Sequence, residues 1–200
     1  MTKVIVGERN GVYPGDGEVK KPMALESINT LIAEHRAVAK VLDQLEGLID
    51  DFLTNAEVPD AAKQSLGSIS DFLAQDLVLH IRKEDHGLFP VLERYLPRHQ
   101  GPIAVMLFEH QDIAQSFQGL QQGVSELDQH PSAGGPAAAK IRDEGRRLIQ
   151  ELRTHLFKEE RVLFPFAETH LSEAEDQEIV EQFRKIATKP PVADTARKTA

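Results

Sequence analysis

Apolar residues recur every three or four positions over four long stretches of the chain, which is the spacing of a buried helical face. The first stretch runs from about Met23 to Leu53, and the second runs from about residue 60 to Leu96. The third extends from about Pro102 to Asp128, and the fourth covers about Ala137 to Thr169. No alternating strand pattern competes with them after residue 22. The pattern therefore predicts an all-α protein.

Proline- and glycine-rich breaks separate these stretches and leave short loops between the helices. Ser172-Glu173-Ala174-Glu175 resembles a helix start, so we expect a short fifth helix that ends near Thr188. Pro90 lies inside the second helix and predicts a bend near Phe89, because proline removes one helical hydrogen bond. The predicted units are an irregular N-terminal arm (1–22), an antiparallel up-down four-helix bundle (23–171), a short C-terminal helix (172–188) and a disordered tail (189–200).

The chain contains an internal repeat with an offset of 75 residues. His80 to Pro90 and His155 to Pro165 both read His-x-x-Lys-Glu, followed in the same register by Leu-Phe-Pro. Glu34-His35 matches Glu109-His110 at the same offset, and 45 residues separate the first and second histidine within each copy. The repeat indicates two copies of one helical hairpin, which would face each other with approximate twofold symmetry.

Each copy supplies one histidine on its first helix and a His-x-x-x-Glu pair on its second, and positions four apart share a helical face. Buried carboxylates are costly unless they are paired or bound to metal. Four imidazoles and two carboxylates suit two divalent transition metals bridged by the glutamates. Mixed ligation of this kind favours non-haem iron, with manganese as an alternative, over zinc, which prefers four ligands. The predicted ligands are His35, His80, Glu84, His110, His155 and Glu159.

Two further acidic residues are candidates for a supporting role. Asp76 and Glu151 each lie one turn before a predicted ligand histidine, where a carboxylate could hold an imidazole N–H. Solvated acids on the helix surface are an equally weighted alternative. Glu34 and Glu109 are displaced by about 100° from the adjacent histidine, so we do not expect them to contact a metal. His86 is assigned to the surface or to the rim of a pocket.

Composition excludes several other classes of function. The 200 residues include no cysteine, which excludes disulfides, thiolate zinc sites, cysteine-ligated iron–sulfur clusters and cysteine nucleophiles. The net charge of −9 and the lack of a basic block argue against a nucleic-acid partner. No apolar run approaches the roughly 18 residues of a membrane helix, and residues 1–22 lack the apolar run of a secretory signal. We therefore expect a cytoplasmic protein without a membrane partner.

The pattern His…His-x-x-x-Glu…His…His-x-x-x-Glu, with Leu-Phe-Pro after each pair, resembles the haemerythrin-like (HHE cation-binding) family over about residues 24–170. The resemblance implies an oxo- or hydroxo-bridged di-iron centre on the six predicted ligands. It also implies a small oxidant as ligand, which would be dioxygen, peroxide or nitric oxide. The electron donor stays unidentified, and the chain could act as a monomer or a homodimer.

One departure from the family pattern affects the expected chemistry. Oxygen-carrying members have a second histidine four positions after the one on the third helix, whereas Ala114 follows His110 here. The expectation therefore moves from oxygen storage towards peroxidase-like, catalase-like or nitric oxide-related activity, with turnover itself left open. The alternative is a non-enzymatic iron or oxygen sensor, or an iron-binding module, including a role in iron–sulfur cluster repair.

Overall fold

The computed structural model describes residues 24–51, 57–127, 129 and 132–188. Helices make up nearly all of these residues, and within them no strand is present beyond an isolated bridge between Glu57 and Ser132. The all-α prediction is confirmed. The predicted N-terminal arm (1–22) and the predicted disordered tail (189–200) lie outside the described residues. None of the described helices is both long and apolar enough to cross a membrane.

Three of the predicted long helices appear where the apolar pattern placed them, and the second is shorter at its end. It stops at Leu92 instead of Leu96, and both the second and the fourth contain π-helical turns. These turns are Leu73–Leu77, Glu84–Leu88 and Glu159–Leu163. The α-helices are α1 (Glu26–Asp51), α2 (Asp60–Phe72), α3 (Val78–Lys83), α4 (Phe89–Leu92), α5 (Pro102–Glu126), α6 (Pro136–Lys158), α7 (Phe164–His170) and α8 (Glu173–Thr188).

Two of the π turns begin at the glutamates of the repeated motif. The N–H of Phe89 donates to the carbonyl of Glu84, five residues back, and the N–H of Phe164 donates to Glu159 in the same way. A proline follows each phenylalanine, and its ring would clash with the carbonyl four residues back in an α-helix. The wider turn accommodates the proline without ending the helical run. Turns of this type are frequent at functional sites.

The buried apolar residues form two clusters, and on every long helix a histidine or glutamate of the repeat lies at the boundary between them. On α1, Leu31 belongs to one cluster and Val38 to the other, with His35 between them. Leu77 and Leu88 flank the pair on the second helical run in the same manner. The fold therefore places a polar layer between two apolar layers.

The helix α8 fixes the beginning of α1 and covers one side of the site. Ser172 and Glu175 form the predicted capping box: the Ser172 N–H donates to Glu175 Oε2 at 2.9 Å, and the Glu175 N–H donates to Ser172 Oγ at 3.3 Å. The buried carboxylate of Asp176 accepts the N–H of Glu26 at 2.8 Å and that of Ser27 at 3.1 Å. Asp176 thus caps a helix 150 residues earlier in the chain.

Candidate metal centre

The structure brings the six predicted ligands together in the layer between the apolar clusters. None of them is more than 5% exposed. Their donor atoms form two groups in which all the atoms lie within 4.8 Å of one another. One group takes its two imidazoles from α1 and α3, the other takes them from α5 and α6, and Glu84 and Glu159 belong to both.

The two glutamates face both groups at once. Glu84 directs Oε1 towards His80 Nε2 at 3.3 Å and Oε2 towards His110 Nε2 at 3.4 Å. Glu159 directs Oε2 towards His35 Nε2 at 3.3 Å and Oε1 towards His155 Nε2 at 3.5 Å. Each carboxylate therefore offers one oxygen to each group, which is the arrangement that a bridging carboxylate requires.

The donor atoms of this centre have few partners among the described residues. All four carboxylate oxygens of Glu84 and Glu159 are buried without a hydrogen bond, and so are His35 Nε2 and His80 Nε2. The Nε2 atoms of His110 and His155 face each other at 3.1 Å. Leaving buried polar atoms unpaired costs free energy, and buried ionised groups are normally paired or metal-bound. The donor set therefore fits a pair of cations better than it fits an apolar core.

Carboxylates on the first helix of the same hairpin contact two imidazoles at Nδ1, the ring nitrogen that faces away from the centre. His80 Nδ1 lies 2.9 Å from Glu34 Oε2, and His155 Nδ1 lies 3.0 Å from Glu109 Oε2. The second oxygen of each carboxylate pairs with the lysine of the repeated motif, Lys83 for Glu34 and its counterpart in the second copy for Glu109. The lysine keeps the carboxylate charged and in place beside the imidazole.

The other two imidazoles are held by carboxylates of the opposite hairpin. His35 Nδ1 lies 2.9 Å from Glu160 Oε1, and His110 Nδ1 lies 2.8 Å from Asp85 Oδ1. These carboxylates follow Glu84 and Glu159 directly in sequence. All four Nδ1 atoms are therefore engaged on the outer side, which turns the Nε2 atoms towards the centre and fixes the tautomer needed for ligation.

Asp76 and Glu151, the two candidates for holding an imidazole N–H, form no hydrogen bond with the predicted ligand histidines within the described residues. Asp76 is exposed and has no hydrogen bond or ion pair within the described part of the chain. Glu151 accepts from Ser116 Oγ at 2.7 Å and from Arg147 Nε at 3.1 Å. Because each imidazole points Nε2 at the centre, its Nδ1 edge faces a neighbouring helix instead of the preceding turn of its own helix.

A signal for the correct partners was present in the sequence. Glu34 matches Glu109 under the 75-residue offset, and Asp85 matches Glu160, so the repeat keeps an acid at each position. As predicted, Glu34 and Glu109 belong to neither donor group. Their role could not be recognised from spacing along one helix, because each contacts the histidine of another helix.

The charges in this layer shift the pKa values of its members. Burial lowers the pKa of His80, but the charge of Glu84 and the hydrogen bond with Glu34 raise it to about 10. Burial likewise lowers the pKa of His110, while its hydrogen bond to Asp85 and the charge of Glu84 raise it to about 10. Burial and the charge of Glu84 raise the pKa of Glu159. Protons balance the carboxylates here, so a cation that binds the same Nε2 atoms would displace them.

The hemerythrin HHE cation binding domain model matches residues 26–167, which is more than half of the chain. The chain belongs to this family. The matched segment contains all six predicted ligands and ends before α8 begins at Glu173. A cation-binding family agrees with two donor groups that could each hold a metal ion.

Three curated relatives share a printed description, "Iron-sulfur cluster repair protein YtfE". The protein of Citrobacter koseri is 29% identical over 114 residues, which are 56% of this chain and 51% of the relative. The Enterobacter sp. (strain 638) protein is 29% identical over 106 residues, 52% of this chain and 47% of the relative. The Musicola paradisiaca protein is 30% identical over 108 residues, 54% and 48% respectively. The chain thus spans about half the length of the relatives that it matches.

Proposed function

We propose that this chain is a non-haem di-iron protein that binds or reduces a small oxidant, namely dioxygen, peroxide or nitric oxide. The proposed fold is an antiparallel up-down four-helix bundle built from the two hairpins, with α8 as an addition. The observation that carries the proposal is the orientation of Glu84 and Glu159, each of which offers one oxygen to each donor group. His35 and His80 would complete the first iron site.

His110 and His155 would complete the second iron site. Bound iron would supply Lewis acidity and reversible one-electron chemistry. The residues of the chain hold the imidazoles in a fixed orientation and keep the centre apart from bulk water. Phe164 stacks on His35 with ring centroids 5.3 Å apart, and Phe89 stacks on His110 at 5.8 Å. The two buried apolar clusters lie on either side of this layer.

Metal analysis of protein from iron-replete cells tests this proposal. We expect about two irons per chain, and we expect the double variant Glu84→Ala, Glu159→Ala to hold none. An anaerobic spectrum of the reduced protein, recorded before and after addition of dioxygen, peroxide or nitric oxide, identifies the ligand. Stoichiometric zinc in place of iron, with no spectral response to any of the three, would contradict the proposal.

A role in iron–sulfur cluster repair is a second candidate, and the shared description of the three relatives favours it. In this role the centre would be a reservoir from which iron reaches a damaged cluster. The test is to mix iron-loaded protein with an enzyme whose cluster has been damaged by peroxide and to follow the recovery of its activity. Recovery no faster than with an equal amount of free ferrous iron would argue against this role.

A further inference from the structure

The helix α8 gives the two copies of the repeat different surroundings. Its contacts are concentrated on α1, α3 and the π turn Glu84–Leu88, which all belong to the first copy. It begins at Glu173, beyond the segment that the family model matches. Each donor group has two imidazoles and shares both glutamates, so the ligands themselves do not distinguish the two proposed iron sites. The cover that α8 provides does distinguish them.

Phe183 is the residue of α8 that reaches the repeated motif. Its side chain is 5% exposed, and its ring lies against Gly87 of the π turn. A Cβ atom at position 87 would lie 2.8 Å from this ring, so the close approach requires glycine there. The equivalent residue in the second copy is Val162, which is 54% exposed. The two copies therefore differ at the position where α8 makes this contact.

The lysine of the repeated motif also differs between the copies. Lys83 Nζ lies 5.8 Å from the centroid of the Phe183 ring, and the Lys83 side chain is 11% exposed. The side chain of its counterpart, Lys158, is 40% exposed. The paired carboxylates are similarly exposed, 28% for Glu34 and 20% for Glu109. The difference between the two pairs therefore lies in the lysine that Phe183 covers.

Shielding strengthens a charge pair of this kind. Water and salt weaken an exposed lysine–carboxylate pair, whereas a pair that is kept from water is screened much less. The Glu34 carboxylate contacts His80 Nδ1 at 2.9 Å and so helps to keep His80 Nε2 directed towards the centre. A firmly paired Lys83 therefore fixes the imidazole as well as the carboxylate.

We propose that Phe183 is a positioning residue that retains iron at the first iron site by keeping water away from the Lys83–Glu34 pair. The proposal rests on the proposed function, because it takes each donor group to hold an iron ion. Phe183 acts on the iron through this pair and His80. The second iron site has the more exposed Lys158 in the corresponding position.

The carboxylates behind the other two imidazoles differ in the opposite sense. Glu160, which contacts His35 Nδ1, is 45% exposed, and Asp85, which contacts His110 Nδ1, is 24% exposed. Exposure therefore favours the first site at one imidazole and the second site at the other. For this reason, each site is compared with itself, with and without Phe183.

Iron release to a chelator measures the effect of Phe183 at each site. His110→Gln leaves the first donor group intact, and His35→Gln leaves the second intact. The iron-loaded, reduced full-length chain is mixed anaerobically with an excess of a ferrous chelator, and the absorbance of the iron–chelator complex gives the release rate. Phe183→Ala should accelerate release about three- to tenfold in His110→Gln and leave it unchanged in His35→Gln. With both sites loaded, it should accelerate the release of one iron only.

Two variants of α8 separate this effect from a general loosening of the helix. Phe183→Leu keeps an apolar cover over Lys83 and should restore most of the slow release. Ile179→Ala removes another buried apolar side chain of α8. It should lower the Tm of the metal-free chain, as Phe183→Ala does, but leave the release rate unchanged in both histidine variants.

The lysines provide a second test that does not alter the packing of α8. Lys83→Gln in His110→Gln should accelerate release about tenfold or more, because it removes the cation of a shielded pair. Lys158→Gln in His35→Gln should accelerate it about threefold or less, because that pair is already exposed to solvent. Equal effects of the two lysine substitutions would overturn the inference even if Phe183→Ala fails to fold.

The possible results separate this inference from the proposed function. If the wild-type chain holds no iron, the di-iron proposal fails and the inference fails with it. If it holds two irons but Phe183→Ala accelerates the release of both or of neither, or Ile179→Ala has the same effect as Phe183→Ala, the inference is wrong and the di-iron proposal stands. Faster release from the first site alone, reversed by Phe183→Leu, supports the inference.

Discussion

Glu159 is the residue at which the proposed sharing of carboxylates can be tested most directly. Its two oxygens face different histidines, Oε2 towards His35 Nε2 at 3.3 Å and Oε1 towards His155 Nε2 at 3.5 Å. Glu159→Gln keeps the shape of the side chain but removes the negative charge that both metals would share, and it leaves one neutral amide oxygen and an amide nitrogen that cannot serve as a ligand. We therefore expect one substitution to remove both irons. His35→Gln, which changes only one donor group, should leave about one iron in place.

The size of the effect follows from the linkage between binding and folding. Two cations, each present at 100 times its dissociation constant, stabilise the folded chain by about 5 kcal/mol. For a chain of this length, each kcal/mol changes Tm by about 2–4 °C, so iron should raise Tm by about 10–20 °C. The rise should fall to about half in His35→Gln and to nearly zero in Glu159→Gln.

In the absence of iron, Glu159→Gln should not lower the stability of the fold. Burial and the charge of Glu84 raise the pKa of Glu159, which means that the fold disfavours the ionised carboxylate more than the unfolded chain does. Removing that charge should leave the metal-free chain at least as stable as the wild type. Replacing a buried charged group at a functional site often leaves stability unchanged or raises it while function is lost.

Elemental analysis and thermal unfolding with and without ferrous iron, both under anaerobic conditions, provide the assay. Glu160→Gln is the matched control, because this neighbouring carboxylate contacts His35 Nδ1 at 2.9 Å but belongs to neither donor group. It should retain two irons with lowered affinity. If Glu159→Gln retains one iron and half of the rise in Tm, the glutamate is not shared between two metals and the reasoning is refuted.

Three further predictions concern the surroundings of the centre and the position of α8. Glu34→Gln removes the charge behind His80 and should lower iron affinity about 10- to 100-fold in a chelator competition, whereas Asp76→Asn should have no effect. Asp176→Ala removes the cap of α1 and should lower the free energy of unfolding in urea by about 2 kcal/mol, and a change below the error of the urea measurement would contradict the capping role. Hydrogen bonds from the N–H and hydroxyl of Ser172 lower the pKa of Glu175 from its ordinary value of 4.5 to about 2, although burial opposes them. Because the folded-state pKa is lowered, the ionised Glu175 carboxylate stabilises the fold above pH 4.5, and this stabilisation is lost as the pH falls towards 2. Glu175→Gln should therefore flatten the dependence of the free energy of unfolding on pH between these values. An unchanged dependence would refute the role of Glu175.

The repeated His-x-x-x-Glu pairs show what the sequence by itself determined. Positions four apart on a helix share a face whatever the helix packs against, so the direction of His80 relative to Glu84 is a local property of the chain. The apolar periodicity is local in the same sense, and it placed the long helices to within a few residues. The 75-residue offset then related the two pairs to each other, and the structure brings all six predicted ligands into one layer.

The partners of the imidazoles were decided by the tertiary structure. Asp76 lies one turn from His80 but is exposed, whereas Glu34, 46 residues away in sequence, contacts His80 Nδ1. The cap that Asp176 provides for α1 is of the same kind, since 150 residues separate Asp176 from Glu26. Which side chains meet across two helices depends on the distance and rotation between them, and no periodicity within one helix encodes those quantities.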